Sequence, residues 1–110
     1  MYDYYTQTEL KTLLEARTLV VASFTKTSCG ICHLVDYMFF DLMRHFQYQF
    51  MYVKIDIEQQ PELANKFDII QTPTISILHG QDVHLNLAGI FTKQEYKEVI
   101  GKMINTTNID

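Results

Sequence analysis

Both cysteines of the chain lie in one short run, Thr27-Ser28-Cys29-Gly30-Ile31-Cys32-His33, where an apolar segment gives way to a helical pattern. Upstream, the segment Leu19–Thr25 is apolar and β-branched, which is typical of a buried parallel strand. Downstream, apolar residues recur three or four positions apart, as on one face of an amphipathic helix: Ile31, Leu34, Val35, Met38, Leu42 and Phe46. The cysteines therefore fall on a strand-to-helix junction, and we expect the helix to run from about Cys29 to Gln47.

The position and spacing of the pair favour reactive sulfur chemistry. Backbone N–H groups at a helix start lack intrahelical partners and carry the positive end of the helix dipole, so a thiolate is stabilised there. Residues three apart on a helical turn have Cβ atoms roughly 5–6 Å apart, and a small adjustment brings them to disulfide distance. Gly30 leaves space beside Cys29, whereas Cys32 is expected to be more shielded. We therefore predict that Cys29 attacks a disulfide and that Cys32 resolves the mixed disulfide.

Length and composition limit what else the chain can be. With 110 residues, of which 47% are hydrophobic, it is expected to form a single domain over residues 1–110 with an ordinary core. A formal net charge of -4 and the lack of a lysine and arginine cluster argue against nucleic acid or an anionic membrane as the main partner.

The expected cellular compartment limits the roles that the two cysteines can have. The stretch Met1–Thr6 has neither a basic nor an apolar leader-like region, and no apolar run approaches a membrane span, so we expect a cytoplasmic location. In a reducing cytoplasm, a Cys-x-x-Cys pair beside a βαβ pattern indicates redox chemistry rather than a structural disulfide.

The rest of the pattern predicts alternating helices and strands. Thr6-Gln7-Thr8-Glu9 resembles a capping box that starts a short helix, and Tyr2–Tyr5 before it is expected to form a short edge strand. A strand is expected over Met51–Ile57, a helix over Glu62–Phe67 with Pro61 at its start, and a strand over Thr74–Leu78.

A hairpin and a last helix complete the pattern. Gly80 is placed first in a tight turn over His79–Asp82. The strand after the turn is expected to be antiparallel and to place its three apolar residues on one face: Val83, Leu85 and Leu87. Thr92-Lys93-Gln94-Glu95 resembles a second capping box, and the tail Asn105–Asp110 is expected to fray. The predicted order, (β)αβαβαββα, gives an α/β fold with a mixed sheet between helices.

Four landmarks in register over nearly the whole chain resemble thioredoxin. They are Cys29-Gly30-Ile31-Cys32 at the junction, Ile55-Asp56-Ile57-Glu58-Gln59-Gln60-Pro61, Thr72-Pro73-Thr74 before a strand, and Ala88-Gly89 after the hairpin. The chain is therefore identified as similar to the thioredoxin family, with an atypical Ser-Cys-Gly-Ile-Cys active site. The resemblance implies the thioredoxin fold, a central mixed sheet flanked by helices, with a cis bond at Pro73 opposite the cysteine pair.

The resemblance also implies a function and its partners. It implies a thiol-disulfide oxidoreductase, a protein-disulfide reductase that needs no bound cofactor or metal. Its partners would be client proteins or small thiols with disulfides and an external reductant, either a thioredoxin reductase or a low-molecular-weight thiol. The family's shallow substrate surface carries over onto Gly30, Ile31, Thr72, Pro73, Gly89 and Ile90. The backbone of Thr72 would pair with a bound peptide in strand fashion.

Two departures from the family pattern concern the resolving step. The chain has no tryptophan, so its substrate surface must differ from that of the usual family member. The family's buried acid falls at Ser23, which cannot act as a base near neutral pH, so we expect slower resolution by Cys32. Lys54 matches the family lysine near that acid and is expected to supply positive charge to the buried thiolate. The alternative is a solvated strand lysine.

Two further departures concern tuning of the outer sulfur. Ile31 replaces the family's proline, which adds a backbone N–H near Cys29 and loosens the loop, so we expect a less reducing potential. His33 stands where the family often has a lysine. Because an imidazole changes charge near physiological pH, His33 is expected to tune Cys29.

Other interpretations stay open from the residues alone. Cys29–His33 also fits the C-x-x-C-H signature of haem attachment, and two thiolates with one imidazole could begin a zinc site. The remaining histidines have no metal-like spacing: His45, His79 and His84. A third alternative is a thioredoxin-like adaptor, chaperone or thiol-sensor module with little catalytic activity.

The oligomeric state is a separate question. Three apolar residues widen the arc of the long helix and favour a contact with a second copy: Phe39, Phe40 and Met43. We expect a monomer, with a weak dimer as the alternative.

Overall fold

The computed structural model describes residues 4–80 and 82–107, and the elements follow the predicted order. The helices are α1 (Gln7–Glu15), α2 (Cys32–His45), α3 (Pro61–Lys66) and α4 (Lys93–Thr107). The strands are β1 (Leu19–Thr25), β2 (Met51–Asp56), β3 (Thr74–His79) and β4 (Asp82–Ala88). They form one sheet in the order β2-β1-β3-β4, with β1 and β2 parallel and the other pairs antiparallel. The predicted α/β fold with a mixed sheet is confirmed.

Both predicted capping boxes are present. At the start of α1, Thr6 Oγ1 accepts a hydrogen bond from the Glu9 N–H at 3.3 Å, and the Glu9 carboxylate accepts one from the Thr6 N–H at 3.0 Å. Thr92 and Glu95 repeat the arrangement before α4, at 3.1 Å and 3.0 Å. These bonds satisfy donors that a helix start leaves unpaired. The bonds from Thr92 also lower the pKa of Glu95, because they favour the carboxylate.

The sheet separates two apolar layers, because successive residues of a strand point to opposite faces. The layer on the side of α2 and α4 includes Val21, Phe39, Tyr52, Ile77, Tyr96 and Ile100. The layer on the side of α1 and α3 includes Leu10, Val20, Phe24, Val53, Ile55 and Leu63. Every residue of β1 is buried, as expected for a central strand covered on both faces.

The cysteine-bearing helix is shorter than predicted at both ends. It begins at Cys32 rather than Cys29, because the preceding residues form tighter turns closed by hydrogen bonds between residues three apart. The Cys32 N–H donates to the Cys29 carbonyl at 3.3 Å, and the His33 N–H donates to the Gly30 carbonyl at 3.2 Å. Cys29 therefore lies in the turn that leads into α2.

The buried face of α2 also differs from the prediction. Of the residues predicted on its apolar face, Val35 and Leu42 are buried, whereas Leu34 is 51% exposed. Ile31, predicted both on that face and in the substrate surface, is 54% exposed. Phe39 and Met43, predicted to widen the arc toward a second surface, are buried. Apolar residues occupy more than one face of this helix, so periodicity alone did not identify the inner one. Phe39 and Met43 belong to the core, whereas Phe40 packs against it and stays partly exposed.

β4 contains a bulge that its alternating pattern does not reveal. Leu85 pairs with Ile77, but Val83 pairs with Leu78, so His84 is an extra residue in β4 at this step. Val83 consequently lies on the opposite face of the sheet from Leu85, and the prediction of one shared apolar face was wrong. Both side chains are exposed.

The chain ends depart from prediction in two ways. Tyr4 forms an isolated parallel bridge with Lys54, and the Tyr5 N–H donates to the Lys54 carbonyl at 2.6 Å. The expected strand is thus reduced to this bridge, while Tyr2 lies outside the described residues. α4 continues to Thr107, so the prediction of fraying was wrong for residues 105–107, and the last three residues lie outside the description.

Other boundaries agree with prediction within one residue. β2 ends at Asp56, α3 covers Pro61–Lys66 and β3 extends to His79. Gly80 begins the hairpin turn with a φ of 62°, in the left-handed region that favours glycine. Within residues 4–80 and 82–107, no helix combines the length and apolarity needed to cross a membrane.

Candidate active site

The sheet topology brings three loops to one edge. Phe24 pairs with Thr74, and Thr74 pairs with Ala88, so the end of β1, the start of β3 and the end of β4 lie side by side. The loops at this edge carry Cys29, Gly30 and Ile31, then Thr72 and Pro73, and finally Gly89 and Ile90. All residues predicted to bind substrate therefore lie at the same edge as the cysteine pair.

Cys29 and Cys32 are joined by a disulfide, with Cα atoms 5.4 Å apart. The bond closes within the turn before α2. Cys29 is 8% exposed and Cys32 is 3% exposed, which agrees with the predicted order of accessibility. Cys29 is nevertheless less open than expected. The open space lies over Gly30, where an added Cβ would meet no atom within 4 Å.

The residues predicted to bind substrate differ in exposure. Ile31 and Ile90 are exposed, whereas Thr72 is half-buried and Pro73 is buried. The Thr72–Pro73 peptide bond is cis. The Pro73 carbonyl accepts a hydrogen bond from the Gly89 N–H at 2.9 Å, which ties the loops before β3 and after β4 together.

Two exposed apolar residues in the same region were not predicted from the sequence. Ile70 is 91% exposed and lies in the loop that leads to Thr72, and Leu34 is exposed in the first turn of α2. The available signal for Ile70 was an apolar pair, Ile69-Ile70, in a segment without strand or helix periodicity. Leu34 was assigned to the core because its helical spacing matched that of the buried residues.

A buried polar cluster is centred on Asp36, four residues after Cys32 in α2. Lys54 Nζ lies 3.0 Å from Asp36 Oδ2, and both side chains are buried. The Tyr52 hydroxyl donates to Asp36 Oδ1 at 2.6 Å. On the solvent side, His33 Nδ1 lies 3.9 Å from Asp36 Oδ2, and the His33 ring is exposed. Lys54 is therefore paired in the interior, and the alternative of a solvated strand lysine was wrong.

Asp36 is the member of this cluster that sequence analysis did not single out. It follows Cys32 by one helical turn, so the two side chains share a face of α2. Burial, together with the Asp36 carboxylate, raises the pKa of Tyr52, so the Tyr52 hydroxyl stays protonated at neutral pH. The ring of Tyr4 covers the Lys54 ammonium, with 4.8 Å between Nζ and the ring centroid. Ser23, at the position of the family's acid, is fully buried and supplies no carboxylate.

Asp56 is a second buried carboxylate, at the end of β2. Its Oδ1 accepts hydrogen bonds from the Glu58 and Gln59 N–H groups at 2.8 Å and 3.3 Å. Its Oδ2 accepts one from the Thr27 hydroxyl at 3.0 Å. Asp56 thus joins the turn after β2 to the loop that carries Cys29. In the described part of the chain, no group of three or more His, Cys, Asp or Glu side chains is arranged to hold a metal ion.

Fold and site together define a class: α/β proteins that carry a redox-active Cys-x-x-Cys pair at the mouth of a helix beside a proline-containing loop. The family model described as thioredoxin matches residues 3–102. The chain belongs to the thioredoxin family.

Individual relatives agree with this assignment. The chain is 29% identical over 86 residues to a thioredoxin of Listeria monocytogenes, across 78% of this chain and 84% of that protein. It is 24% identical over 86 residues to NADPH-dependent thioredoxin reductase 3 of Arabidopsis thaliana, but the aligned part spans 16% of that protein's length and 78% of this chain. A mutant thioredoxin from Halobacterium salinarum superposes with a TM-score of 0.80 at 22% identity, over 90% of this chain and 86% of that one. Family membership and the bonded pair support thiol-disulfide oxidoreductase chemistry in general.

Proposed function

We propose that the protein is a thioredoxin-like protein-disulfide reductase in which Cys29 is the nucleophile and Cys32 the resolving thiol. The observation that carries this proposal is the Cys29–Cys32 bond at the mouth of α2, with Cys29 the more exposed partner. In the reduced protein, the Cys29 thiolate attacks one sulfur of a client disulfide and releases the first client thiol. Cys32 then attacks Cys29, releases the second client thiol and closes the disulfide. Two electrons pass from the protein to the client.

The client binds at the edge that carries the pair. Ile31 and Ile90 offer exposed apolar surface, and the half-buried Thr72 offers backbone for strand-like pairing with a peptide. The full proposed surface consists of Gly30, Ile31, Thr72, Pro73, Gly89 and Ile90. Ile70 and Leu34 add apolar area beside it. A small, shallow surface of this kind suits weak binding to many client proteins or to small disulfides.

Two charged side chains tune the pair. The Lys54 ammonium is held in the interior close to the helix face of Cys32, where a positive charge stabilises the resolving thiolate. His33 directly follows Cys32 and carries an exposed imidazole, so its protonation adds positive charge near Cys29. Ile31 in place of proline raises the potential above that of the usual family member.

An external reductant returns the pair to the dithiol. The alignment of this chain with part of a plant thioredoxin reductase supports a reductase of that kind as the electron donor, and a low-molecular-weight thiol is the alternative. No bound cofactor takes part, because the two sulfurs carry the electrons. We assign this activity to a cytoplasmic monomer that acts as one domain over residues 1–110.

Reduction of insulin by wild type and single variants tests the proposal, with dithiothreitol as the regenerating thiol. We expect Cys29→Ser to lose activity. We expect reduced Cys32→Ser, mixed with insulin after dithiothreitol has been removed, to accumulate a mixed disulfide with the client. Tyr48→Phe, a change at an exposed residue in the turn after α2, is the control and should act like wild type. If wild type, Cys29→Ser and Cys32→Ser all behave alike, the reductase proposal fails and the adaptor, chaperone or thiol-sensor alternative is favoured.

A further inference from the structure

In the proposed reductase cycle, no residue has yet been assigned as the base that removes the proton from the Cys32 thiol. Cys32 is 3% exposed, so solvent has little access to it. A thiolate formed in the interior costs free energy unless a nearby positive charge or proton transfer compensates it, because the buried charge is not hydrated. The step therefore needs a proton acceptor within the protein. Among the described residues, the buried carboxylates are Asp36 and Asp56.

The contacts of the two carboxylates separate their roles. Both oxygens of Asp56 accept hydrogen bonds from the Glu58 and Gln59 backbone and the Thr27 hydroxyl, which fixes this carboxylate in a turn. Asp36 instead contacts ionisable side chains and lies one turn after Cys32 on the same face of α2. The Cβ atoms of residues four apart on a helix are about 6 Å apart, a separation that side chains or one water can bridge.

We propose that the Asp36 carboxylate accepts the proton of Cys32 during resolution, with the Lys54 ammonium as a counter-ion shared by both groups. This inference rests on the proposed reductase cycle. The proton moves from sulfur to carboxylate, so the negative charge moves from Asp36 to Cys32 while the ammonium stays in the cluster, 3.0 Å from Asp36 Oδ2. The net charge of the buried cluster does not change. Loss of the same proton to solvent would instead add an uncompensated negative charge at low dielectric.

Resolution then exchanges the mixed disulfide for the Cys29–Cys32 disulfide. The Cys32 thiolate attacks the Cys29 sulfur of the mixed disulfide, the Cys29–Cys32 bond forms, and the bond from Cys29 to the client breaks. The client sulfur leaves as a thiolate and takes a proton from water. Asp36 later releases its proton towards solvent through the exposed His33 imidazole, 3.9 Å from Oδ2.

The charged and titratable groups around Asp36 come from several elements. β2 supplies Lys54 and Tyr52, α2 supplies His33, and Tyr4 covers the ammonium. Tyr96 of α4 lies in the same apolar layer as Tyr52. Because the Tyr52 hydroxyl stays protonated, it donates to Asp36 throughout the cycle. Lys54 and His33 are the groups whose charge can influence the transfer.

A stopped-flow reaction of the reduced protein with limiting DTNB separates the two chemical steps. Attack by Cys29 releases the first coloured thiolate, and attack by Cys32 releases the second. For Asp36→Asn at neutral pH, we expect the second phase to slow roughly 10²-fold, at the lower end of general-base effects, while the first phase keeps its rate. The rate of the second phase should then rise about tenfold per pH unit, as removal of the proton by hydroxide requires. Asp36→Glu, which keeps a carboxylate, should restore much of the rate.

Asp41→Asn is the matched control, since it makes the same chemical change at an exposed carboxylate of the same helix. Its two phases should equal those of wild type. The direction of the Asp36→Asn effect is diagnostic, because an unpaired ammonium beside Cys32 would by itself favour the thiolate and speed the second phase. An unchanged or faster second phase overturns the inference. Absence of the first phase in wild type would instead refute the proposed reductase cycle.

A second pair of variants covers the case in which Asp36→Asn does not fold, as judged by circular dichroism. The double variant Asp36→Asn/Lys54→Met removes both charges and is compared with Lys54→Met. We expect the second phase of the double variant to be at least tenfold slower than that of Lys54→Met, because only the latter keeps the carboxylate. Equal rates in the two variants would contradict the assignment of Asp36.

Discussion

Two aspartates on α2 form ion pairs of the same length in opposite surroundings. Asp36 Oδ2 and Lys54 Nζ are 3.0 Å apart with side chains 8% and 4% exposed, whereas Asp41 Oδ2 and Lys93 Nζ are 3.0 Å apart with side chains 46% and 49% exposed. At the surface, water and salt screen the attraction, so such a pair contributes little. In the interior, each charge has lost its hydration and depends on its partner. Burial rather than distance therefore decides what each pair does.

The exposed pair still shifts a titration. The hydrogen bond and the charge of Lys93 lower the pKa of Asp41, and Arg44 contributes in the same direction. Its effect on stability is small because solvent screens it. The buried pair holds an ammonium and a carboxylate in the interior, and its carboxylate, Asp36, follows Cys32 by one turn of α2.

The largest expected effect on stability is that of Lys54→Met. Removal of this ammonium leaves the Asp36 carboxylate buried without its counter-ion, which costs about 3–5 kcal/mol of unfolding free energy. Lys93→Met, the same substitution in the exposed pair, should leave the urea midpoint nearly unchanged. The double variant Asp36→Asn/Lys54→Met should recover most of the loss, since no unpaired charge remains. Equal midpoints for Lys54→Met and Lys93→Met would remove the distinction between the two pairs.

A smaller effect is expected for Tyr52→Phe, which deletes the hydrogen bond to the Asp36 carboxylate. A hydrogen bond to a charged group contributes about 1.5–3 kcal/mol, and we expect a loss in this range at neutral pH. Because burial raises the pKa of Tyr52 in the folded protein, its stabilising contribution is complete below the ordinary tyrosine pKa of about 10 and is lost as pH rises above it.

Urea unfolding between neutral and alkaline pH checks this prediction. Wild type should lose stability above about pH 10, and Tyr52→Phe should lose less over the same interval. Tyr48→Phe, at an exposed tyrosine, is the control and should follow wild type. A wild-type curve and a Tyr52→Phe curve with the same alkaline slope would show that Tyr52 is not the group responsible.

The smallest effect is expected for Asp41→Asn. Because the pKa of Asp41 is lowered in the folded protein, its contribution is present above the ordinary aspartate pKa and is lost as pH falls through the folded value. The difference in urea midpoint from wild type should be slight at neutral pH and should disappear at acidic pH. It should also disappear in about 1 M salt, where the screening length is about 3 Å. A difference that persists in high salt would mean that the exposed pair resembles the buried one.

Local signals in the sequence predicted much of the fold. The limits of β1, Leu19–Thr25, agree with the prediction because a compact, mostly apolar segment with β-branched residues is typical of a buried strand. The capping boxes at Thr6 and Thr92 were predicted because they involve residues only three apart. Cys29 and Cys32 lie at a strand-to-helix junction, as predicted from the local change from a strand pattern to a helix pattern.

Features that depend on distant contacts were not predicted. Asp36 sits at the margin of an apolar arc, where a carboxylate ordinarily faces solvent, and only the packing of α2 on β2 brings it to Lys54. The exposure of Leu34 on α2 was missed because apolar residues occupy several helix faces. The bulge at His84 depends on pairing with β3, which alternation within β4 does not record. The roles assigned to the two cysteines stay predictions.

The extra residue at His84 has a consequence for encounters between copies of the protein. β4 is an edge strand of the described sheet, and it exposes the apolar side chains of Val83 and Leu85. To pair with this edge strand, another chain needs a regular row of free backbone N–H and C=O groups. The bulge interrupts that row and increases the local twist. The bulge therefore makes this edge strand a poor template for aggregation, although the exposed side chains on it are apolar.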